Sequence, residues 1–316
     1  MLLKAAMLLG AAALGFAGFN SVPKHNVKPC HGHNCPPTTT SITSTTSTTP
    51  TTTTQPTTTA TTPTTTTSPT TTTTPPPPPT YQFDDEFNGA AGTQPTQWSI
   101  FGGTSPPRWG VECFVNDPQH ISVDGNGNLV LTATYNPGGV PCTNGSGPYE
   151  SGGMDTNFSG LFNYKYGTAE ARIKVPCGSG ATGPWPAWWE DGPSWPTGGE
   201  IDTLEIMKDA PMHAQQTLHG PTTSGGSYQL NYIGALMDCN TFHTYGNIWT
   251  SGQVKFTVDG VVVKTYTPAN VPSGGIWPFD SYNERLFLDL QIGASGGTPD
   301  PTTFPLSMVI DWVRIS

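Results

Sequence analysis

Glu200, Asp202 and Glu205 lie within six residues of one another, in Gly199-Glu-Ile-Asp-Thr-Leu-Glu-Ile206, a stretch otherwise almost wholly apolar. As a strand, it sets Glu200 and Asp202 on one face, because side chains alternate with period two. Glu205 is out of phase by one residue. It joins the other two only if an extra residue, near Thr203 or Leu204, forms a β-bulge. Bulges re-aim side chains and gather near active sites. The spacing therefore predicts a bulged strand with Glu200 and Glu205 on either side of Asp202. Two carboxyl groups held this way can divide the work of glycoside hydrolysis. One, ionised, attacks the sugar; the other, protonated, protonates the leaving oxygen. Like charges at close range raise one pKa, so both forms can coexist near neutrality. The competing reading is a surface strand with solvated acids. It leaves unexplained why three like charges crowd one face just after a cluster of tryptophans.

Trp185-Pro-Ala-Trp-Trp189 and Trp195-Pro-Thr-Gly-Gly199 precede the acids, and Tyr166-Gly-Thr-Ala-Glu-Ala-Arg-Ile-Lys174 precedes those. Thr217-Leu-His-Gly-Pro221, Phe242-His-Thr-Tyr245, Phe256-Thr-Val-Asp-Gly260, Phe304-Pro-Leu-Ser-Met308 and Asp311-Trp-Val-Arg314 follow. Taken in order from about Phe83 onward, the set resembles glycoside hydrolase family 16, the laminarinase and lichenase relatives. The resemblance implies an all-β jelly-roll sandwich with a substrate cleft on its concave sheet. It implies Glu200 as nucleophile, Glu205 as acid/base, and Asp202 as the group that orients Glu200 and tunes both. Trp188 and Trp195 stand where relatives stack sugar rings, a use that suits flat aromatic faces. Alternation separates Trp188 from Ala187 and Trp189. Trp188 is assigned to the cleft and Trp189 to the core, with Trp185 left open. His219 is expected either to donate to a sugar hydroxyl or to serve as a structural histidine. Trp277 matches a family block at the rim. Catalysis needs no cofactor. The resemblance also implies a structural calcium at Asp311, completed by backbone carbonyls near the domain start and near Gly127, as oxygen ligands suit Ca²⁺. The alternative there is a salt-bridged strand acid. Two departures bear on which glycan is cut: Ser151-Gly-Gly153 stands where many members have Ser-Gly-Arg, and Asp289-Leu-Gln-Ile-Gly-Ala294 where members often read Asn-Leu-Ala-Val-Gly-Gly.

The elements that must position these residues read as short strands and turns. Residues 127–135 alternate and follow the turn signal Asp124-Gly-Asn-Gly127. Stretches 166–175, 253–258, 261–266, 285–292 and 308–315 share that style, and no amphipathic helix exceeds two turns. Many strands at regular spacing predict a sandwich.

Upstream, residues 1–19 read as a signal peptide, with Lys4 before a short apolar core that is too short for a comfortable membrane span. Residues 20–35 carry Cys30-His-Gly-His-Asn-Cys35, which matches no standard zinc module and suits a small disulfide loop or plain tail better. Residues 36–80 hold 27 Thr and 11 Pro with no charge or aromatic, so they cannot bury enough apolar surface to fold. They predict a disordered, O-glycosylated stalk. Residues 81–316 form one domain, with 22 acidic against 9 basic side chains. That balance argues against nucleic acid, whose phosphates demand basic patches, and imposes nothing on a neutral polysaccharide. Four of its residues are cysteines, Cys113, Cys142, Cys177 and Cys239, which allow three pairings. Lichenase-type members carry a bridge at places similar to Cys113–Cys142, which leaves Cys177–Cys239. Asn144-Gly-Ser146 and Asn157-Phe-Ser159 are glycosylation sequons. The expected protein is a secreted, monomeric, retaining endo-β-glucanase acting on β-1,3- or mixed β-1,3/1,4-glucan, with cell-surface attachment an option. Alternatives are a galactanase or transglycosylase of the same family, or a non-catalytic glucan-binding jelly roll. The last usually lacks the catalytic carboxylates, both of which are present here.

Overall fold

The computed structural model describes residues 79–102, 110–142, 145–156, 160–177 and 182–316. The residues read as a signal peptide, the segment at 20–35, the expected stalk up to residue 78, and both sequon asparagines lie outside the described residues. From residue 83 the chain runs through β1 (Phe83–Asp85), β2 (Ser99–Ile100), β3 (Glu112–Phe114), β4 (Ile121–Val123), β5 (Leu129–Cys142) and β6 (Gly145–Ser151). It continues through β7 (Gly153–Asp155), β8 (Gly167–Lys174), β9 (Pro184–Asp191), β10 (Glu200–Glu205), β11 (His213–Pro221) and β12 (Ser227–Leu236). The last strands are β13 (His243–Thr250), β14 (Gln253–Val258), β15 (Val261–Tyr266), β16 (Arg285–Ile292) and β17 (Leu306–Ile315). Among the described residues the only helical elements are three short 3-10 turns. None is long and apolar enough to cross a membrane.

Two sheets result. One has the order β12-β11-β10-β9-β16-β7-β2; the other runs β15-β14-β13-β8-β17-β5-β6-β3, with β1 also on β17 and β4 also on β5. Pairing is antiparallel throughout except between β3 and β6. This is the two-sheet sandwich that the strand pattern predicts. Its core lies between the sheets. In β8, Ala169, Ala171 and Ile173 are fully buried while Glu170, Arg172 and Lys174 turn outward. In β16, Leu286, Leu288, Leu290 and Ile292 enter the same core and are likewise fully buried. The intervening Arg285, Phe287, Asp289 and Gln291 fall on the opposite face of the seven-stranded sheet. The expected turn at 124–127 forms around Asp124, whose side chain accepts from the backbone of Asn126 at 2.7 Å and of Asn128 at 3.1 Å. Cys113–Cys142 and Cys177–Cys239 are bridged as expected, with Cα atoms 5.7 and 5.5 Å apart.

Candidate active site

β10 lies inside the seven-stranded sheet, paired to β9 on one side and β11 on the other. Gly199 delivers the chain into it at φ +89°, and a Cβ there would sit 2.7 Å from Pro278 Cγ and 2.9 Å from Phe279 Cε1. Only glycine accepts both that conformation and that approach. Against β9, Asp202 pairs with Trp189, Leu204 with Trp188 and Glu205 with Ala187, so Thr203 is the inserted residue. Against β11, the register likewise shifts between Asp202 and Glu205. The predicted bulge is therefore present. It puts Glu200, Asp202 and Glu205 together on the wall of one cavity of about 430 Å3.

His219, on β11 opposite Glu200, reaches this cluster. Its Nε2 lies 3.2 Å from Asp202 Oδ2 and 3.7 Å from Glu200 Oε1. Glu205 Oε1 accepts a hydrogen bond from Trp185 Nε1 at 2.8 Å. Burial dominates the electrostatics. It pushes Glu205 up to about 7, opposed by the Trp185 hydrogen bond. It pushes Asp202 well above the usual carboxylate range, with the charge of Glu205 adding to the effect. Glu200 is raised for the same reason, reinforced by Asp202 and opposed by His219. The cluster therefore retains protons near neutrality. Glu200 keeps 19% of its side chain exposed against 4% for Asp202, so it is the more open of the two to the cleft.

The tryptophans require a correction. Trp188 is fully buried in the inter-sheet core, whereas Trp185 and Trp189 line the cleft beside the carboxylates. The alternation holds, but the face toward the core is the one that carries Trp188. Because Asp202 pairs with Trp189 across a bulged register, the cleft face of β9 is the one that holds Trp185, Ala187 and Trp189. Trp189 stacks on Phe287 at 3.9 Å and 9°, and its Nε1 donates to Asp289 Oδ2 at 2.9 Å. Trp195 stands at the rim, 46% exposed and 6.5 Å from the His219 ring. Trp277 packs edge-on against Phe279, outside this cavity. Asp289 and Gln291 escaped the sequence reading as site residues. The signal was there: Asp289 and Gln291 alternate with Leu288, Leu290 and Ile292, the mark of a strand whose second face turns polar at this end.

Position 153, glycine where the family resemblance leads one to expect arginine, has no room for a side chain. A Cβ would meet Phe101 Cδ2 at 2.7 Å, Asp289 Cβ at 2.9 Å and Phe114 Cε1 at 3.0 Å. On the adjacent strand, the Arg285 guanidinium is bonded to Asp191 Oδ1 at 2.8 Å and Asp155 Oδ2 at 2.9 Å. Far from the cleft, Asp311 pairs with Arg172. Calcium takes about six to eight oxygen ligands, and this pairing occupies one carboxylate oxygen that such a shell could use. As arranged, Asp311 is the salt-bridged strand acid.

The family model of glycosyl hydrolases family 16 matches residues 111–314. Among curated proteins, the keratan-sulfate endo-1,4-beta-galactosidase of Sphingobacterium multivorum is 28% identical over 244 residues, covering 74% of this chain and 54% of that protein. The glucan endo-1,3-beta-glucosidase A1 of Niallia circulans is 28% identical over 262 residues, covering 74% and 37%. The chain thus spans about half or less of the length of these two relatives. Among solved structures, the laminarinase catalytic domain of Thermotoga maritima MSB8 superposes with a TM-score of 0.60 at 28% identity, covering 75% of this chain and 97% of that one.

Proposed function

The chain belongs to glycosyl hydrolase family 16, and from that premise we propose that it is a retaining endo-β-glucanase acting on β-1,3- or mixed β-1,3/1,4-glucan. One observation carries the reading: a single bulge gathers Glu200 and Glu205 on one cleft face around Asp202. Glu200 attacks the anomeric carbon while Glu205, protonated through its burial, gives its proton to the departing glycosidic oxygen. Asp202, the most enclosed of the three, keeps a proton and shares it with Glu200, which holds that carboxylate in place. Glu205, now ionised, takes a proton from water. The resulting hydroxide displaces Glu200 from the sugar, and the second inversion restores the original configuration. Trp189, backed by Phe287, and Trp195 offer flat apolar faces to pyranose rings.

The cleft suits a neutral polymer. Three carboxylates line its wall, and Arg285, elsewhere on the same sheet, is already paired with two aspartates, so a sulfated chain would meet negative charge there. Equal identity to a relative named as a keratan-sulfate endo-1,4-beta-galactosidase supports a second reading, cleavage of β-galactosidic bonds, here in a neutral β-galactan. Secretion is part of the proposal, supported by the signal-peptide reading of residues 1–19 and by two disulfides in the domain. The test is NMR of the earliest product from laminarin or lichenan, with agarose as the galactan comparison. β-Anomer should appear first and then mutarotate. Early accumulation of α-anomer would overturn the double-displacement mechanism, and turnover of agarose alone would move the substrate to the second reading.

A further inference from the structure

The cleft carboxylates depend on a residue that β9 does not pair. Thr203 is the insertion in β10, with Asp202 and Leu204 taking the partners on either side of it. Its side chain turns away from the cleft into the core. There Oγ1 accepts a hydrogen bond from Asn247 Nδ2 at 2.9 Å. Asn247 belongs to β13 in the facing sheet, so this bond spans the sandwich. The same nitrogen donates to Glu190 Oε1 at 2.7 Å. Glu190 lies on β9 opposite Ile201, next to the bulge, and its other oxygen accepts from the Tyr164 hydroxyl at 2.7 Å. Thr203, Glu190 and Asn247 are all fully buried.

Such a cluster is an expensive way to fill a core. A buried carboxylate is a net liability even when well bonded, and apolar side chains of similar volume would pack the same layer. What apolar residues cannot do is fasten one particular register. The amide is oriented with Nδ2 toward Glu190 and Thr203, where both oxygens accept from it. An unfastened bulge has an obvious escape: lose the insertion, slip by one residue, and turn Glu205 to the core face.

We propose that Asn247 is a positioning residue for Glu205: by tying Thr203 to Glu190 across the core, it holds the bulge in the register that brings Glu205 to the cleft face beside Asp202. The proposal rests on the acid/base role assigned to Glu205 above.

Three substitutions test it. Thr203→Val removes the acceptor at nearly constant volume, Asn247→Leu removes the donor, and Thr203→Ser keeps the hydroxyl. Thr203→Val and Asn247→Leu should each lower kcat on laminarin by roughly 10- to 100-fold, the scale of a small misplacement of a catalytic group. KM should stay near the wild-type value, and the alkaline limb of the pH–rate profile should move. Thr203→Ser should behave as wild type. A second readout needs no turnover: backbone amide exchange at Leu204 and Glu205, measured by NMR, should accelerate about tenfold or more relative to Leu218 on the neighbouring strand. That measurement separates failure of this proposal from failure of the assigned activity. Wild-type exchange at those two amides in Thr203→Val, together with unchanged kcat, would overturn the proposal. So would a loss of activity that merely tracks the unfolded fraction and leaves the pH profile in place. If Asn247→Leu does not fold, the valine and serine variants at 203 carry the comparison.

Discussion

Replacing Trp185 with phenylalanine removes one hydrogen bond and keeps an aromatic ring on the cleft wall. In the native protein the indole N–H meets Glu205 Oε1 at 2.8 Å. A donor at that distance favours the ionised carboxylate, and it opposes the burial that has pushed Glu205 up to about 7. A hydrogen bond to a charged group contributes roughly 1.5–3 kcal/mol, and one pH unit corresponds to about 1.36 kcal/mol. Part of the bond survives when Glu205 is protonated, so the net shift should be about one pH unit. Its sign is upward, because the variant loses a donor that favours the charged form over the neutral one. Glu205 must be protonated to expel the leaving group, so the alkaline limb of kcat/KM reports its titration. The assay is kcat/KM on lichenan or laminarin between pH 4 and 10, in parallel with the melting temperature of each protein. The alkaline midpoint should rise from about 7 to about 8, and activity above neutrality should fall less steeply than in wild type. An unmoved or lowered midpoint in a folded variant would show that the indole does not set the protonation of Glu205.

Gly199→Ala should destabilise the domain by at least about 1–3 kcal/mol, since it needs positive φ and collides with Pro278 and Phe279; a melting curve superimposable on wild type would contradict this. Trp188→Ala should cost about 3–5 kcal/mol of stability, while Trp189→Ala should chiefly raise KM for glucan; a denaturant titration and a substrate curve for each variant will separate the two. Glu112, Glu190 and Glu205 are each pushed by burial from 4.5 to about 7. Their folded pKa values exceed the unfolded ones, so their stabilising contribution is full below about pH 4.5 and is lost as pH rises through 7. Calorimetry should accordingly give a higher melting temperature at pH 5 than at pH 8, and the reverse order would be inconsistent with this burial.

The acid triad was the most legible feature of the chain. Counting residues from Glu200 to Glu205 was enough to require an insertion at Thr203 or Leu204, because the period of a strand leaves no other way to align them. Strands at 253–258, 261–266 and 285–292 coincide with β14, β15 and β16. The tryptophans show where such counting stops. Alternation sorts Trp185 and Trp189 from Trp188, but the face that meets the core is decided by pairing with a bulged neighbour. That is information between strands, not within one. The cluster of Glu190, Asn247 and Thr203 was hidden for a related reason. Polar residues inside a strand look like a solvent face until the facing sheet supplies their partners. Gly153 was noticed as a departure, but its meaning depended on Phe101 and Phe114 being packed where a side chain would project.

The position of β17 has a consequence for how the molecule is made. It follows every other described strand, yet it lies in the middle of its sheet, between β8 and β5, and also pairs with β1 across more than two hundred residues of sequence. Until it is delivered, β5 and β8 present bare backbone edges to one another. Val309 and Ile310, which bridge them, are still missing. A chain threaded through a membrane N-terminus first would therefore emerge with its catalytic strand complete and its second sheet still split in two. Contacts this distant in sequence close late and slowly. The species waiting for β17 is the one most exposed to proteases and to edge-to-edge association, and the yield of folded protein should depend on how quickly that last strand finds its slot.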